Sequence, residues 1–343
     1  MRVLYDPDPR ATDEIFSPEA LADLRSRYAV TEWQGQDREA FYTTHLPRTD
    51  ILISQQPMEA DRLALAPNLR AIFNVETNFL PNVDYAECFR RGIHVLAPGA
   101  VFAAPVAEMA LGMALSLARN IHGEHAAFLT GQEKWLFEGN RQSELLAGST
   151  VEIIGFGDVG RSLHRLLAPF GCRVQVFDPW LPPGHLKRLG VEPVGFDALI
   201  AGNRFVFVMA TITTDNAGMI DARALGLMQP GAMLLLMSRA AAADFGALTQ
   251  AAASGRIRVA TDVFPVEPLP KDDPIRRVPN MLFSPHRAGA LTFALREIGT
   301  RVLEDMDLIA RRLPPVACRR AEPETVAQMR SMPVAATPSE NLG

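Results

Sequence analysis

Short apolar runs alternate with amphipathic stretches through the first hundred residues. Val3-Leu4-Tyr5, Ile51-Leu52-Ile53, the run from Leu69 to Val75 and Val95-Leu96 read as strands, with Pro18 to Arg25 and Tyr85 to Arg91 as helices. Strand alternating with helix predicts a parallel sheet covered by helices. From Pro105 to Ile121 the chain reads PVAEMALGMALSLARNI, rich in Ala, Leu and Met and without an internal breaker. That composition predicts a helix apolar over much of its circumference, packed on both sides, between two domains or against a second subunit. It marks the start of a second domain.

After Gly148 the apolar runs change in quality. VEIIGFG, RVQVFDP, RFVFVMA, AMLLLMS, IRVATDV and MLFSPH are continuous rather than alternating, as a sheet buried on both faces requires. Helical segments separate them: Val159 to Phe170, Phe196 to Ala201, Ala222 to Met228 and Asp244 to Ser254. The succession predicts a doubly wound nucleotide-binding unit. An amphipathic helix from Leu291 to Arg312 is placed to return to the first domain. The tail after Pro314 is polar and without period, so no structure is expected in it. The expected organisation is a first domain over 1–98, rejoined by 292–318, a nucleotide-binding domain over 99–291, and a tail over 319–343.

Composition narrows the function classes. With 343 residues, 48% hydrophobic and 21% charged, the chain can bury two separate cores. A formal charge of -5 and a pI near 5.9 give no net pull toward nucleic acid or an anionic membrane surface. The start, MRVLYDPDPR, lacks signal-peptide features, and no apolar window reads as an uninterrupted membrane span. A cytoplasmic protein acting on small molecules is expected, with neither nucleic-acid nor membrane partners. Cys88, Cys172 and Cys318 have no CxxC or His spacing, so buried thiols are expected and no metal site.

Gly155-Phe156-Gly157-Asp158-Val159-Gly160 follows the apolar run Val151 to Ile154 and opens a helical pattern, the context that a bare G-x-G-x-x-G lacks. Gly155 allows the tight turn, Gly157 lets the backbone approach a pyrophosphate, and Gly160 permits close helix–strand packing. The helix N-terminus, with Asp158 and Val159, offers amides to the phosphates. A second strand ends at Asp178, 18 residues past Gly160, where a carboxylate accepts a ribose 2′-hydroxyl and repels a 2′-phosphate. NAD is therefore the expected cofactor.

Arg239, Glu267 and His286 lie at or just past the ends of three further strands of the same sheet, the edge where open α/β sheets bind ligands. A lone histidine after proline is usually a loop residue, and a lone glutamate is usually solvated. Their gathering behind a nucleotide loop argues for chemistry. SRAAAADFGAL, TDVFPVEPLP and NMLFSPHRAGA resemble, in order and spacing, the Arg, Glu and His signatures of D-2-hydroxyacid dehydrogenases, and the likeness runs over roughly residues 70–312. The resemblance implies two doubly wound domains, a Rossmann NAD-binding domain and a flavodoxin-like substrate domain. The implied reaction moves a hydride between a nicotinamide and a small 2-hydroxy or 2-keto acid.

The residue types suit that reaction. A planar guanidinium, Arg239, holds a carboxylate and polarises a carbonyl with parallel donors. His286 titrates near neutral pH and can give a proton to the oxygen as hydride reaches carbon. Glu267 holds the imidazole in place and favours its protonated form. By the resemblance, Asp262 binds the nicotinamide carboxamide and Ser238 lines the ring through its backbone. A homodimer is implied as well. Arg287 adjoins His286 where the family has an apolar residue, and a surface role is expected for it.

Some positions depart from the family. Its substrate domain uses a glycine-rich loop whose amides meet the substrate carboxylate; the matching stretch here runs Asn74-Val75-Glu76-Thr77-Asn78 with no glycine. Val75, Glu76, Thr77 and Asn78 are the candidate substrate-binding residues, and Glu76 has either to engage a nearby cation or to face inward and select the substrate. Ala240 stands where Gly usually follows the Arg, and Thr211 where Pro commonly precedes the adenine-side turn. Formate and phosphite dehydrogenases fit less well, having Gln in place of Glu267 and Lys in place of Glu76. The rival from another class is an NAD-sensing corepressor-like protein of the same fold, which could retain all three catalytic side chains.

Overall fold

The computed structural model describes residues 1–76, 79–213 and 215–327. The chain divides into two compact units, Met1–Val101 together with the chain from Thr292 onward, and Phe102–Leu291. In the first unit, β1 (Arg2–Asp6), β2 (Ala29–Glu32), β3 (Ile51–Ser54), β4 (Ala71–Phe73) and β5 (His94–Ala97) pair in parallel. Their spatial order is β5-β4-β3-β1-β2, that of flavodoxin-like sheets, with a switch point between β1 and β3. Ile51, Leu52 and Ile53 are all fully buried, which is why this short strand reads as a solid apolar run. The sequence pattern missed β2 and the helix Arg38–His45, whose faces are too mixed in polarity to show a period.

In the second unit, β6 (Thr150–Ile154), β7 (Arg173–Phe177), β8 (Glu192–Pro193), β9 (Phe205–Val208), β10 (Met233–Leu236), β11 (Arg258–Thr261) and β12 (Met281–Phe283) form one parallel sheet. Its order, β12-β11-β10-β9-β6-β7-β8, reverses direction at β6, the doubly wound arrangement of a Rossmann domain. Ile153, Phe207 and Leu235 enter one core, while Ile154, Val206, Val208, Leu234 and Leu236 enter the other. β9 and β10 therefore carry apolar side chains at every position.

Four expectations are corrected. The helix expected over Pro105 to Ile121 spans Ala103–Arg119 and stops at Asn120, which adopts the left-handed conformation at φ 50°. It packs on the helix Asp158–Leu167 and on β10 and β11 within its own unit, and Ile121 is exposed in the next helix. Second, the stretch Gly99–Arg119, with mean hydropathy 1.7, does reach the length and composition of a membrane span; Ala107, Ala110, Ala114 and Leu117 bury one face of it in the core. Third, the tail is structured as far as described. The buried Asp305, on the helix Thr292–Ala310, accepts the amides of Val316, Ala317 and Cys318, and β13 (Arg319–Arg320) pairs antiparallel with β5. A long-range capture of this kind leaves no periodic mark on the segment captured. Finally, Cys88 and Cys318 are buried free thiols, but Cys172 is only half-buried.

Candidate active site

The turn after β6 is shaped by its glycines. Gly155 sits at φ +88°, and a Cβ there would stand 2.5 Å from Ala210 Cα. A Cβ on Gly160 would lie 2.4 Å from the Gly155 carbonyl oxygen, so the helix Asp158–Leu167 can approach the strand only with glycine there. Gly157 differs: a Cβ on it would meet nothing within 4 Å. Protein packing does not demand glycine at 157, but a phosphate approaching the backbone does. No side chain caps this helix, which leaves its first amides available to an anion. Among the described residues, no group of three His, Cys, Asp or Glu side chains could hold a metal ion.

Asp178, just past β7, fastens the same loop. Its Oδ2 accepts the Phe156 amide at 2.8 Å and its Oδ1 the Trp180 amide at 2.9 Å. Each oxygen keeps a second lone pair for a ribose hydroxyl. Across the switch point, Thr211 is exposed beyond β9, and its carbonyl accepts the Asn216 side-chain amide at 2.7 Å. Beyond β10, the Ser238 hydroxyl oxygen is buried without a partner. An orphaned buried hydroxyl at this edge is a place for a ligand group. The open cradle at Gly157, the uncapped helix and Ser238 together fit a dinucleotide.

The three candidate catalytic residues lie in the loops that follow β10, β11 and β12, adjacent parallel strands spaced about 4.8 Å apart. Arg239, exposed after β10, donates from Nη1 to the Ser238 carbonyl at 2.8 Å. Glu267 Oε2 lies 2.5 Å from His286 Nδ1, and its Oε1 accepts the Phe264 amide at 2.8 Å. The carboxylate is thus aimed by its own loop and in turn aims the imidazole. His286 itself has φ +47°, uncommon for a residue with a side chain. The almost wholly buried Asp262 accepts the next two amides, Arg287 at 3.0 Å and Ala288 at 2.9 Å, and so straps down the turn that points His286 at Glu267. Neither this strap nor the part of the Phe264 amide was legible in the sequence.

In the other unit, Val75 is buried after β4 and Glu76 turns into the protein. The Glu76 side chain pairs with Arg10 and its amide donates to Gln55 Oε1 at 2.9 Å. Glu76 therefore spends its amide and its carboxylate on protein partners. Thr77 and Asn78 lie outside the described residues. The motif reading missed Arg10 and Gln55; their position just past β1 and β3, at the switch point, was the only signal available.

A glycine turn, an uncapped helix and a carboxylate gathered at the switch point of a doubly wound sheet are the marks of a dinucleotide-binding protein, and a His–Glu pair lies on the same edge. The sequence model of the D-isomer specific 2-hydroxyacid dehydrogenase NAD binding domain matches residues 111–288. The chain belongs to that family, and its cofactor is NAD. It is 30% identical over 266 residues to a hydroxypyruvate reductase of Thermotoga maritima, covering 76% of this chain and 84% of the relative. It is also 30% identical over 295 residues to the D-3-phosphoglycerate dehydrogenase of Mycobacterium tuberculosis; 85% of this chain is covered, but only 55% of that longer relative. Among solved structures, a phosphoglycerate oxidoreductase from Rhizobium etli superposes with a TM-score of 0.86 at 46% identity, covering 94% of this chain and 98% of that one.

Proposed function

We propose that the protein is an NAD-dependent D-2-hydroxyacid dehydrogenase, interconverting a small 2-keto acid and its D-2-hydroxy acid. The observation that carries the reading is the Glu267–His286 pair at the carboxyl edge of the dinucleotide-binding sheet. With Nδ1 given to Glu267, Nε2 is the imidazole atom left to donate a proton to the carbonyl oxygen. Arg239 holds the carboxylate and polarises the carbonyl. Gly155, Gly157, Asp158, Val159, Gly160, Asp178, Thr211, Ser238 and Asp262 hold the cofactor, which when bound exchanges hydride with the substrate carbon. The matched relatives carry the names of dehydrogenases and reductases, and no observation favours the corepressor-like alternative over an enzyme.

We place the protein in the cytoplasm, where its NAD pool and free thiols would be at home, and read it as a homodimer. Supporting the dimer, Phe128, Leu129, Trp135, Leu136 and Phe137 are all exposed, with Leu136 85% exposed, and clustered exposed apolar side chains mark interaction surfaces. Light scattering on the purified chain reads its mass directly. The test of function is NADH oxidation with glyoxylate, hydroxypyruvate, pyruvate and bulkier keto acids. Turnover of at least one is expected; inertness toward the whole panel would end the assignment.

A further inference from the structure

At the carboxyl edge of the first unit's sheet, guanidinium groups pair with a larger number of carboxylates. Arg10, past β1, meets Glu76, past β4, with Nε 2.9 Å from Oε1 and Nη2 3.2 Å from Oε2. The side chains are only 31% and 30% exposed, so this is not a loose surface pair. Beside it, Arg38 is held by Asp6 at 3.0 Å and Asp8 at 3.1 Å and lies 3.9 Å over the Trp33 ring. Asp6 is fully buried and also accepts the Tyr42 hydroxyl. Two guanidiniums thus stand against three carboxylates. Between them, at the β1/β3 switch point where such sheets take ligands, Gln55 Nε2 is buried and has no acceptor.

Resting on the function proposed above, we infer that this edge restricts the substrate to singly charged 2-keto acids and excludes those carrying a second anion, such as a phosphate. A second anion would meet an edge with an excess of negative charge. Arg10, the cation able to receive it, would first have to abandon Glu76 and strand a half-buried carboxylate, which costs more than an exposed pair would. Specificity of this kind comes from the repulsive element rather than from a better contact. A neutral hydroxyl meets no such obstacle, and the orphaned Gln55 amide offers it a hydrogen bond.

The test compares hydroxypyruvate with 3-phosphohydroxypyruvate, which differ only in the phosphate. In the wild type the first should be favoured in kcat/KM by about tenfold or more, the ratio that ~1.4 kcal/mol of discrimination produces. Glu76→Gln removes one negative charge and releases Arg10, so the ratio should fall by about tenfold or more, and adding Arg10→Gln should reverse most of that fall. Equal or better wild-type use of the phosphorylated acid overturns the inference, as does a Glu76→Gln effect that is the same for both acids. The wild-type ratio needs no variant and stands even if Glu76→Gln fails to fold. Calorimetric titration of both acids into the NADH complex reads the same preference without turnover. Preserved discrimination in binding with no turnover counts against the proposed reaction alone, whereas binding of neither acid overturns both.

Discussion

Glu152 lies in the middle of β6, an interior strand of the NAD-binding sheet, and is fully buried. Its Oε1 accepts the Asn203 side-chain amide at 3.0 Å, while its Oε2 is buried without a partner. The backbone packs so closely that a Cβ on Gly202 would come within 2.4 Å of Oε1. Burial pushes the carboxyl from the ordinary 4.5 to about 8, so at neutral pH the folded protein holds it protonated. The unfolded chain releases that proton above 4.5. Folding therefore takes up a proton between these two values, and the stability present below the unfolded value is lost as pH rises toward the folded one. The loss accrues at ~1.4 kcal/mol per pH unit and totals on the order of 5 kcal/mol. Glu152→Gln keeps the shape and cannot ionise. Urea unfolding of both proteins at pH 5, 6, 7, 8 and 9, taken here as ~1 unit steps across the window, should show the Gln variant gaining on the wild type up to about pH 8, then levelling off. Every other titrating group cancels in the difference. A difference independent of pH would mean that Glu152 is already ionised in the fold, and would refute the reasoning.

Three further outcomes are expected. His286→Ala should lower turnover by on the order of a hundred-fold while leaving the NADH dissociation constant within about twofold, read by fluorescence titration; unchanged turnover would assign the proton to another group. Asp178→Ser removes the carboxylate proposed to select the ribose and should narrow the preference for NADH over NADPH in kcat/KM, whereas equal wild-type efficiency with both cofactors would discard Asp178 as the selector. Asp305→Ala takes the acceptor from three amides, at ~1–3 kcal/mol for a buried donor left unmade, so hydrogen exchange at residues 316–318 should quicken strongly; unchanged protection would show that Asp305 does not hold the tail.

Much of this molecule was already determined by its sequence. Because β9 and β10 are buried on both faces, their runs are uniformly apolar and announce a parallel sheet without reference to anything distant. The phosphate turn is legible for a similar reason: the packing demands on Gly155 and Gly160 and the open approach at Gly157 fall within six consecutive residues. Arg239, Glu267 and His286 could be picked out as candidates because each lies at or beyond the end of a strand whose apolar run is recognisable. What only the tertiary structure decided are the contacts that join residues far apart in the chain. Asp262 strapping the His286 turn, Asp305 capturing the tail, and Asn203 meeting Glu152 span 25, 11 and 51 residues. Glu76 shows the limit most plainly. From the sequence it could face either a cation or the substrate, because a loop's spacing carries no record of which side chain will lie opposite. Arg10, 66 residues earlier, settles its orientation, since parallel strands β1 and β4 end on the same edge of the sheet and bring the two loops within reach of an ion pair.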